Sequence, residues 1–382
     1  MAWVLRLLPF SSDSSHSVEP AQRVAGLTLP LRMALAAQHG GAGRIELAME
    51  CEPLRPLLTD PRLRIPVTSA DARQPDLPAL RVDVPWNLVV HRDLLRDLGA
   101  SGATGSRNLL REPHPFSAPF SFEPVLVISK SSARSAEKAL LRALRKPQDG
   151  WTSTYLNRYL SLAATRWLAH TPLRPNQVSV AILGIGIIGA LLASRGTYGT
   201  MLIGALLFQA QSVLDGCDGE LSRVTYQGSH AGEWLDTVGD DLTNYGFFAG
   251  TAWGLYVCTH SLLYLAAGAV VVVSGIVSSA IQYRYLIRIG SGDLLKYPLG
   301  IGKGPCTAQA PKGLVARLLD GVSPLFKRDS FVLMTLIGAV LGLLGPILLI
   351  FAAGGVGILV AVLRAETRMA RERRDASAAS AR

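Results

Sequence analysis

The sequence predicts an α-helical membrane domain preceded by a soluble α/β domain, and three observations carry that prediction. Up to about residue 146 the chain is broken often by Pro, Asp and Arg, and no apolar run approaches the ~20 residues that cross a bilayer. After Asn176 long uncharged runs appear. Only 17% of the 382 residues are charged, against about 25% in a soluble domain. This composition excludes a disordered chain and a nucleic-acid-coating protein, so no nucleic-acid partner is expected.

Residues 1–146 read as a cytoplasmic α/β domain. Strands are predicted at 4–8, 44–49 and 124–129, and helices at 29–38 and 133–144. No hydrophobic stretch with a cleavage site follows the first strand, which predicts that this half carries no signal peptide. The four cysteines lack CxxC spacing, so neither a disulfide framework nor a zinc site is indicated.

Residues 147–175 form a linker with an amphipathic segment. Apolar residues recur at 155, 156, 159, 160, 163 and 167, with Arg158 and Arg166 between them. This spacing predicts a helix that lies in the membrane interface, at a depth that suits Trp151 and Trp167. The alternative is an ordinary soluble helix packed on the N-terminal half.

Residues 176–364 are predicted to form six transmembrane helices, and residues 365–382 a basic cytoplasmic tail. The turn between the third and fourth helices is placed near His260 and Ser261. The six uncharged runs that define the helices are 177–194, 198–214, 242–265, 266–282, 331–344 and 346–363.

Basic residues indicate the orientation of this domain. The loop 283–329 holds eight Lys and Arg, and the tail after the last run holds six. The three connections on the opposite side carry one, Arg195. The positive-inside rule therefore places the N-terminal half, this loop and the tail in the cytoplasm, at the inner (cell) membrane.

Four carboxylates flank the second and third runs. Asp215 and Asp218 are three residues apart, and Asp236 and Asp240 four, so each pair shares one face of a helix. Clustered carboxylates need a compensating cation, and oxygen ligands favour Mg²⁺, Mn²⁺ or Ca²⁺ over thiophilic metals. Two such ions can hold a diphosphate during phosphoryl transfer, and Arg223 adds a fork for phosphate. The alternative is that these aspartates cap helices in headgroup water.

The pattern D-x2-D-G-x2-S-R-x8-G-x3-D-x3-D, from Asp215 to Asp240, resembles the signature of the CDP-alcohol phosphotransferase family. Seven of eight positions match, and Ser222 stands where the family usually has Ala. The resemblance implies a six-span enzyme, often a dimer, that moves a phosphoalcohol or phosphatidyl group from a CDP-linked donor to a hydroxyl acceptor and releases CMP.

The same resemblance assigns roles within the motif. It implies that two ions are bound by four aspartates, that Asp240 also takes the acceptor proton, and that Asp241 lies off this face. The implied metal ligands are Asp215, Asp218, Asp236 and Asp240. The implied CDP-site residues are Gly219, Ser222, Arg223 and Gly232, with close packing at Ser222.

The string from Lys146 to Val178 resembles the subgroup that makes di-myo-inositol phosphate phosphate, in which an inositol-phosphate cytidylyltransferase precedes the membrane enzyme. In this chain residues 9–16 stand where the Gly-rich phosphate loop is expected, and Asp83 stands alone as a metal-ligand candidate. We therefore expect an inactive nucleotidyltransferase-like domain. The alternatives are an active enzyme of altered chemistry and an unrelated α/β domain.

A phosphorylated acceptor would be bound by Arg284, Arg288, Lys327 and Arg328 at the cytoplasmic ends of the fourth and fifth runs. The alternative for these four residues is positive-inside anchoring. Inositol phosphate is the acceptor that the architecture suggests, while a lipid product made from CDP-diacylglycerol stays open. A scaffold or transporter that keeps the carboxylates without catalysis is the non-enzyme alternative.

Overall fold

The structure is a computed structural model that describes residues 3–10, 18–70, 80–101, 103–110, 122–145, 153–299 and 328–380. The chain divides into two compact units. The first is residues 1–148 with Thr165–Leu173 and Glu220–Gln227. The second is Asp149–Ala164, Arg174–Gly219 and Gly228–Arg382.

The first unit is built on a parallel sheet. Its strands are β1 (Trp3–Leu8), β2 (Arg23–Val24), β3 (Leu27–Thr28), β4 (Ala42–Leu47), β5 (Val67–Ser69), β6 (Leu80–Pro85), β7 (Leu88–Val89), β8 (Gly105–Asn108) and β9 (Val125–Leu126). Its helices are α1 (Leu29–His39), a 3₁₀ segment (Met49–Leu58), α2 (Arg92–Ala100) and α3 (Lys130–Ala143). Five strands pair in parallel in the order β5-β4-β1-β6-β8, while β2-β3 and β7-β9 form small antiparallel pairs.

Alternate residues of the central strands form the core of this unit. Leu5 and Leu7 on β1 are fully buried beside Ile45 and Leu47 on β4 and Val82 on β6. The period of two that places these side chains on one face is the period of a strand, so the sheet and its core arise together. The prediction of an α/β domain is therefore confirmed for the described residues.

Individual elements lie close to their predicted positions. Strand β1 begins one residue before the predicted 4–8, β4 lies over 42–47 rather than 44–49, and α1 ends one residue beyond 38. Asp83 accepts a hydrogen bond from Ser106 Oγ at 2.8 Å, so a neighbouring strand supplies its partner. Of residues 9–16, where the phosphate loop is expected, residues 11–16 lie outside the described part of the chain.

A buried carboxylate joins three segments of the first unit. Glu137 on α3 accepts hydrogen bonds from the Ala25 amide at 3.1 Å, from Arg166 Nε at 2.6 Å and from His170 Nε2 at 2.9 Å. Burial raises the pKa of Glu137, but these bonds, led by that from Arg166, outweigh burial and the pKa lies below its ordinary value. The carboxylate is therefore ionised at neutral pH and stabilises this part of the fold.

The second unit is helical, and two of its helices continue into segments of the first unit, at Thr165–Leu173 and Glu220–Gln227. A single π-turn (Ser153–Asn157) leads into α4 (Arg158–Leu168), which is followed by α5 (Pro175–Ala193), α6 (Tyr198–Thr225), α7 (His230–Thr259), α8 (Leu262–Ile289), α9 (Arg328–Val340) and α10 (Leu344–Ser380). Helix α4 leaves Tyr159, Leu160 and Trp167 exposed, while Arg166 on the same helix pairs with Glu137 on α3. The interfacial position of this helix stays a prediction. Within the bundle, Phe208 on α6 stacks on Phe247 on α7 with ring centroids 4.3 Å apart.

Four helices of the described residues are long and apolar enough to cross a membrane, namely α5, α6, α8 and residues 344–375 of α10. Helices α7 and α9 also lie where runs were predicted, but they are not among these four, so the count of six spans is not confirmed. Helix α7 begins at His230, so it includes the segment from Asp236 to Asp240, predicted as helix from the aspartate spacing, as well as the uncharged run from residue 242. The predicted turn is confirmed, since α7 ends at Thr259 and α8 begins at Leu262.

Candidate active site

Three carboxylates converge between helices α6 and α7. One carboxylate oxygen from each of Asp215, Asp236 and Asp240 lies within 4.8 Å of the other two. Asp236 and Asp240 occupy adjacent turns of one face of α7, and Asp215 faces them from α6. The structure thus brings together three of the four aspartates predicted to hold metal.

The fourth aspartate, Asp218, belongs to the same cleft but has a different partner. Ser179 Oγ on α5 donates a hydrogen bond to Asp218 Oδ2. The amide of Gly219 lies 2.5 Å from the other oxygen, Oδ1. Asp218 is buried, whereas the other three aspartates retain access to solvent. Its carboxylate is therefore oriented by α5 and lies at the edge of the group that the other three form.

The described side chains around these groups line a small cleft. Among the described residues, its polar lining consists of carboxylate, amide and hydroxyl groups, and neither Cys nor His contributes to it. An all-oxygen donor set of this kind fits Mg²⁺ or Mn²⁺ and disfavours thiophilic metals. The lining residues are Ser179, Ile182, Leu183, Gln211, Asp215, Asp218, Leu235, Asp236, Gly239 and Asp240.

Glycines allow the helices that carry these groups to approach closely. A Cβ at Gly186 on α5 would clash with the Thr243 side chain on α7. A Cβ at Gly232 would come within 2.9 Å of Asn176 Oδ1, at the start of α5. Ser229 caps α7 by accepting a hydrogen bond from the Gly232 amide at 3.0 Å. Gly232, predicted to contact CDP, is thus also required for packing at this helix end.

Gly219, Ser222 and Arg223 continue along α6 beyond the aspartates. Gly219 belongs to the second unit, while Ser222 and Arg223 lie in the segment of α6 that belongs to the first unit. Ser222 and Arg223 are half-buried. Their role in binding CDP stays a prediction.

The basic residues predicted to bind an acceptor are found in different surroundings. Arg328, the first residue of α9, lies among the carboxylates and donates from Nη1 to Asp215 Oδ2 at 2.7 Å. Arg284 on α8 instead pairs with Glu366 on α10 at 3.3 Å, with its side chain 62% exposed. Arg288 is exposed, and Lys327 lies outside the described residues. Within the described part of the chain, Arg328 alone of these residues contacts the acidic group.

Asp241 points away from the cluster and into a group of hydroxyls. It accepts hydrogen bonds from Ser279 Oγ at 2.5 Å and from Tyr283 OH at 2.6 Å, both on α8. Tyr245 OH lies 2.8 Å from Ser279 Oγ and extends the network. This agrees with the prediction that Asp241 lies off the metal-binding face, and it shows that the carboxylate joins α7 to α8.

Sequence reasoning missed four polar residues of the site and its support: Ser179, Gln211, Ser279 and Tyr283. Each lies in or beside an otherwise apolar helix, and that is the signal that could have identified them. Gln211 precedes Asp215 by four residues on the same helix, and Ser279 precedes Tyr283 by four. Polar side chains at one-turn spacing in a membrane helix usually face a partner rather than lipid.

Comparison with known families agrees with this geometry. Residues 173–356, which include all four aspartates, match the family described as CDP-alcohol phosphatidyltransferase. This part of the chain is a CDP-alcohol phosphatidyltransferase domain. The resemblance inferred from the eight-position motif is thereby confirmed.

Several curated proteins resemble part of the chain. A bifunctional IPC transferase and DIPP synthase from Aquifex aeolicus is 32% identical over 130 residues, which are 34% of this chain and 29% of that protein. Proteins of the same description from Thermococcus kodakarensis and Rubrobacter xylanophilus are 33% and 32% identical, over 31% and 41% of this chain. Those two matches cover 27% and 34% of the relatives. The chain therefore matches at most about a third of the length of these relatives.

One solved structure resembles the CDP-alcohol phosphatidyltransferase domain. It is a Mycobacterium tuberculosis phosphatidylinositol phosphate synthase with CDP-DAG bound. The match has a TM-score of 0.41 and 19% identity, and it covers 54% of this chain and 93% of that one.

Proposed function

We propose that this protein is a membrane enzyme that transfers a phosphoalcohol or phosphatidyl group from a CDP-linked donor to a hydroxyl acceptor. The convergence of Asp215, Asp236 and Asp240 within 4.8 Å, inside the matched family domain, is the observation that supports the proposal. In the reaction the acceptor oxygen forms a bond to phosphorus, the bond from phosphorus to the CMP oxygen breaks, and CMP leaves.

The residues have distinct roles in this proposal. Asp215, Asp218, Asp236 and Asp240 hold two Mg²⁺ or Mn²⁺ ions, which neutralise the pyrophosphate of the donor when bound. Asp240 takes the proton of the acceptor hydroxyl, a role that suits a carboxylate with a second oxygen free to face the substrate. Gly219, Ser222, Arg223 and Gly232 line the site for the CDP moiety.

The proposed acceptor is an inositol phosphate, which is the chemistry that the names of the curated relatives suggest. Its phosphate would be bound by the basic residues Arg284, Arg288, Lys327 and Arg328. Transfer from CDP-diacylglycerol to give a lipid is the second candidate. The N-terminal domain is proposed to be catalytically inactive, and incubation with CTP and inositol phosphate should release no pyrophosphate.

Product analysis tests the reaction. Purified protein with Mg²⁺ or Mn²⁺ is incubated with CDP-inositol or CDP-diacylglycerol and candidate acceptors, and the products are identified by mass. We expect CMP from one donor, and almost none from the Asp240→Asn variant. Asp375→Asn, an aspartate substitution in the exposed tail, is the matched control. Equal CMP release by Asp240→Asn would contradict catalysis at this site and favour a scaffold or transporter.

The proposed location is the inner membrane, with the N-terminal domain and the tail in the cytoplasm and with a dimer as the assembly. Single cysteines introduced at Ser261, between α7 and α8, and at Ser377, near the end of α10, report the orientation. A membrane-impermeant maleimide should label Ser261→Cys in intact cells and Ser377→Cys only after lysis. The reverse pattern would contradict the orientation. The mass of the detergent-solubilised protein measures its assembly.

A further inference from the structure

Arg328 holds a central position in the acidic cluster. Its Nη1 lies 2.7 Å from Asp215 Oδ2 and 2.5 Å from Asp240 Oδ2. Its Nη2 donates to Gln211 Oε1 at 3.0 Å. The side chain is only 19% exposed, so these contacts form with little solvent screening. One guanidinium thus links two of the proposed metal ligands, one from each of helices α6 and α7.

This position conflicts with a divalent ion. The guanidinium binds one oxygen each of Asp215 and Asp240, and an ion shared by these two aspartates would need to approach the same pair of carboxylates. A guanidinium and a divalent ion that bind the same two carboxylates repel each other strongly in a partly buried site. The binding of a divalent ion and the present position of Arg328 are therefore opposed.

The arginine is also incompletely satisfied where it lies. Its Nε is buried and has no hydrogen-bond partner among the described residues, which is costly for a guanidinium donor. An unpaired buried donor favours a side chain that changes partners over one that serves as a fixed support.

We propose that Arg328 is a tethered cation that competes with divalent ions for Asp215 and Asp240, so that loading of the site requires its guanidinium to leave. This inference rests on the proposed function, because it assumes that these aspartates bind metal. The released guanidinium is then free to meet a phosphate of the proposed acceptor. Arg328 would thereby link metal loading to the start of α9.

Metal affinity tests the competition directly. Mn²⁺ binding to the full-length protein in detergent is measured by electron paramagnetic resonance for the wild type, Arg328→Met and Arg328→Lys. We expect Arg328→Met to bind Mn²⁺ at least ~10-fold more tightly, which corresponds to about 1.4 kcal/mol, and Arg328→Lys to lie near the wild type. Arg195→Met, in the exposed connection between α5 and α6, is the matched control and should bind Mn²⁺ as the wild type does.

A second measurement uses the wild type and so does not depend on the folding of a variant. Phenylglyoxal modification of Arg328 is followed by peptide mass spectrometry with and without Mn²⁺. We expect Mn²⁺ to increase the rate of modification of Arg328, because its guanidinium leaves the carboxylates. An unchanged or lower rate would overturn the proposal, as would equal or weaker Mn²⁺ binding by Arg328→Met.

These outcomes separate the competition from the proposed function. If the wild type releases CMP in a metal-dependent manner but Arg328→Met gains no affinity, the enzymatic proposal stands and the competition is refuted. If neither the wild type nor the variants bind Mn²⁺, both the competition and the metal dependence of the proposed function are refuted.

Discussion

Neighbouring aspartates on α7 should respond in opposite ways to the same substitution. Asp240 faces Asp215 and Arg328 in the cleft, whereas Asp241 accepts hydrogen bonds from Ser279 and Tyr283 on α8. Replacement of either by Asn keeps the volume and removes the charge. We expect Asp240→Asn to lose activity and keep its fold, and Asp241→Asn to lose stability.

The structure gives a magnitude for each loss. Ser279 and Tyr283 both donate to Oδ2 of Asp241, and the amide oxygen of Asn can still accept from both. Each bond then weakens by about 1 kcal/mol, from the charged to the neutral range, so Asp241→Asn should lose roughly 2 kcal/mol. For a unit of this size that corresponds to about 4–8 °C in melting temperature. Loss of a general base lowers a rate by ~10²–10⁴-fold, which sets the expectation for Asp240→Asn. Its effect on stability should be small, because the variant loses a contact with Arg328 but also relieves repulsion from Asp215 and Asp236.

Two assays on each purified variant measure these effects, namely thermal unfolding in detergent and metal-dependent CMP release. Both are compared with the wild type and with Asp375→Asn. CMP release by Asp241→Asn is measured well below its melting temperature, so that unfolding does not mimic a catalytic defect. The reasoning is refuted if Asp241→Asn keeps the wild-type melting temperature, or if Asp240→Asn releases CMP at the wild-type rate.

Three further predictions concern the ion network, helix packing and metal. Glu137→Gln should destabilise the first unit by about 1–3 kcal/mol at pH 7. The pKa of Glu137 in the folded protein lies below its ordinary value, so its stabilising effect is complete at pH values above the unfolded-state pKa of ~4.3. The effect is lost as the pH falls through the folded-state pKa. The melting temperatures of wild type and variant should therefore converge in acid. Gly186→Ala should lower the free energy of unfolding by about 1–3 kcal/mol, because the added Cβ clashes with Thr243. Gly184→Ala is the matched control in the same thermal unfolding assay, since a Cβ at that position meets nothing within 4 Å. EDTA should abolish CMP release, and Mg²⁺ or Mn²⁺ should restore it; residual release in EDTA would contradict the metal requirement.

Local patterns predicted most of the architecture. The period of two in residues 4–8, the helical period of 29–38 and the uncharged runs after Asn176 are properties of adjacent residues, and β1, α1 and α5 follow them closely. The motif from Asp215 to Asp240 predicted which faces of the two helices carry carboxylates, since residues three or four apart share a helix face. The apolar run alone begins only at residue 242, because charged residues interrupt it, and the spacing of Asp236 and Asp240 is what predicted helix before that point.

Contacts between distant parts of the chain could not be predicted in this way. Arg328 lies 113 residues from Asp215 in sequence, and its basic, loop-flanking position indicated a solvated residue as readily as a buried one. Ser179 reaches Asp218 across 39 residues, and no local period pairs a lone hydroxyl with one particular carboxylate. Pairings of this kind depend on how helices rotate against each other, which packing at positions such as Gly186 decides.

The helical period explains how one helix serves both the cleft and the bundle. Successive residues of a helix are rotated by about 100°, so Asp240 and Asp241 cannot face the same neighbour. Asp236 and Asp240, four apart, both face α6, while Asp241 is turned toward Ser279 and Tyr283 on α8. Those bonds restrict the rotation of α7 about its axis, and the same rotation sets the distance between the Asp240 and Asp215 carboxylates.

A substitution at Ser279 or Tyr283 should therefore weaken metal binding, although neither residue is a proposed metal ligand. Tyr283→Phe removes a single hydroxyl, and its Mn²⁺ affinity measured by titration tests this expectation. Unchanged Mn²⁺ affinity in a Tyr283→Phe, Ser279→Ala double variant would show that α8 does not control the rotation of α7.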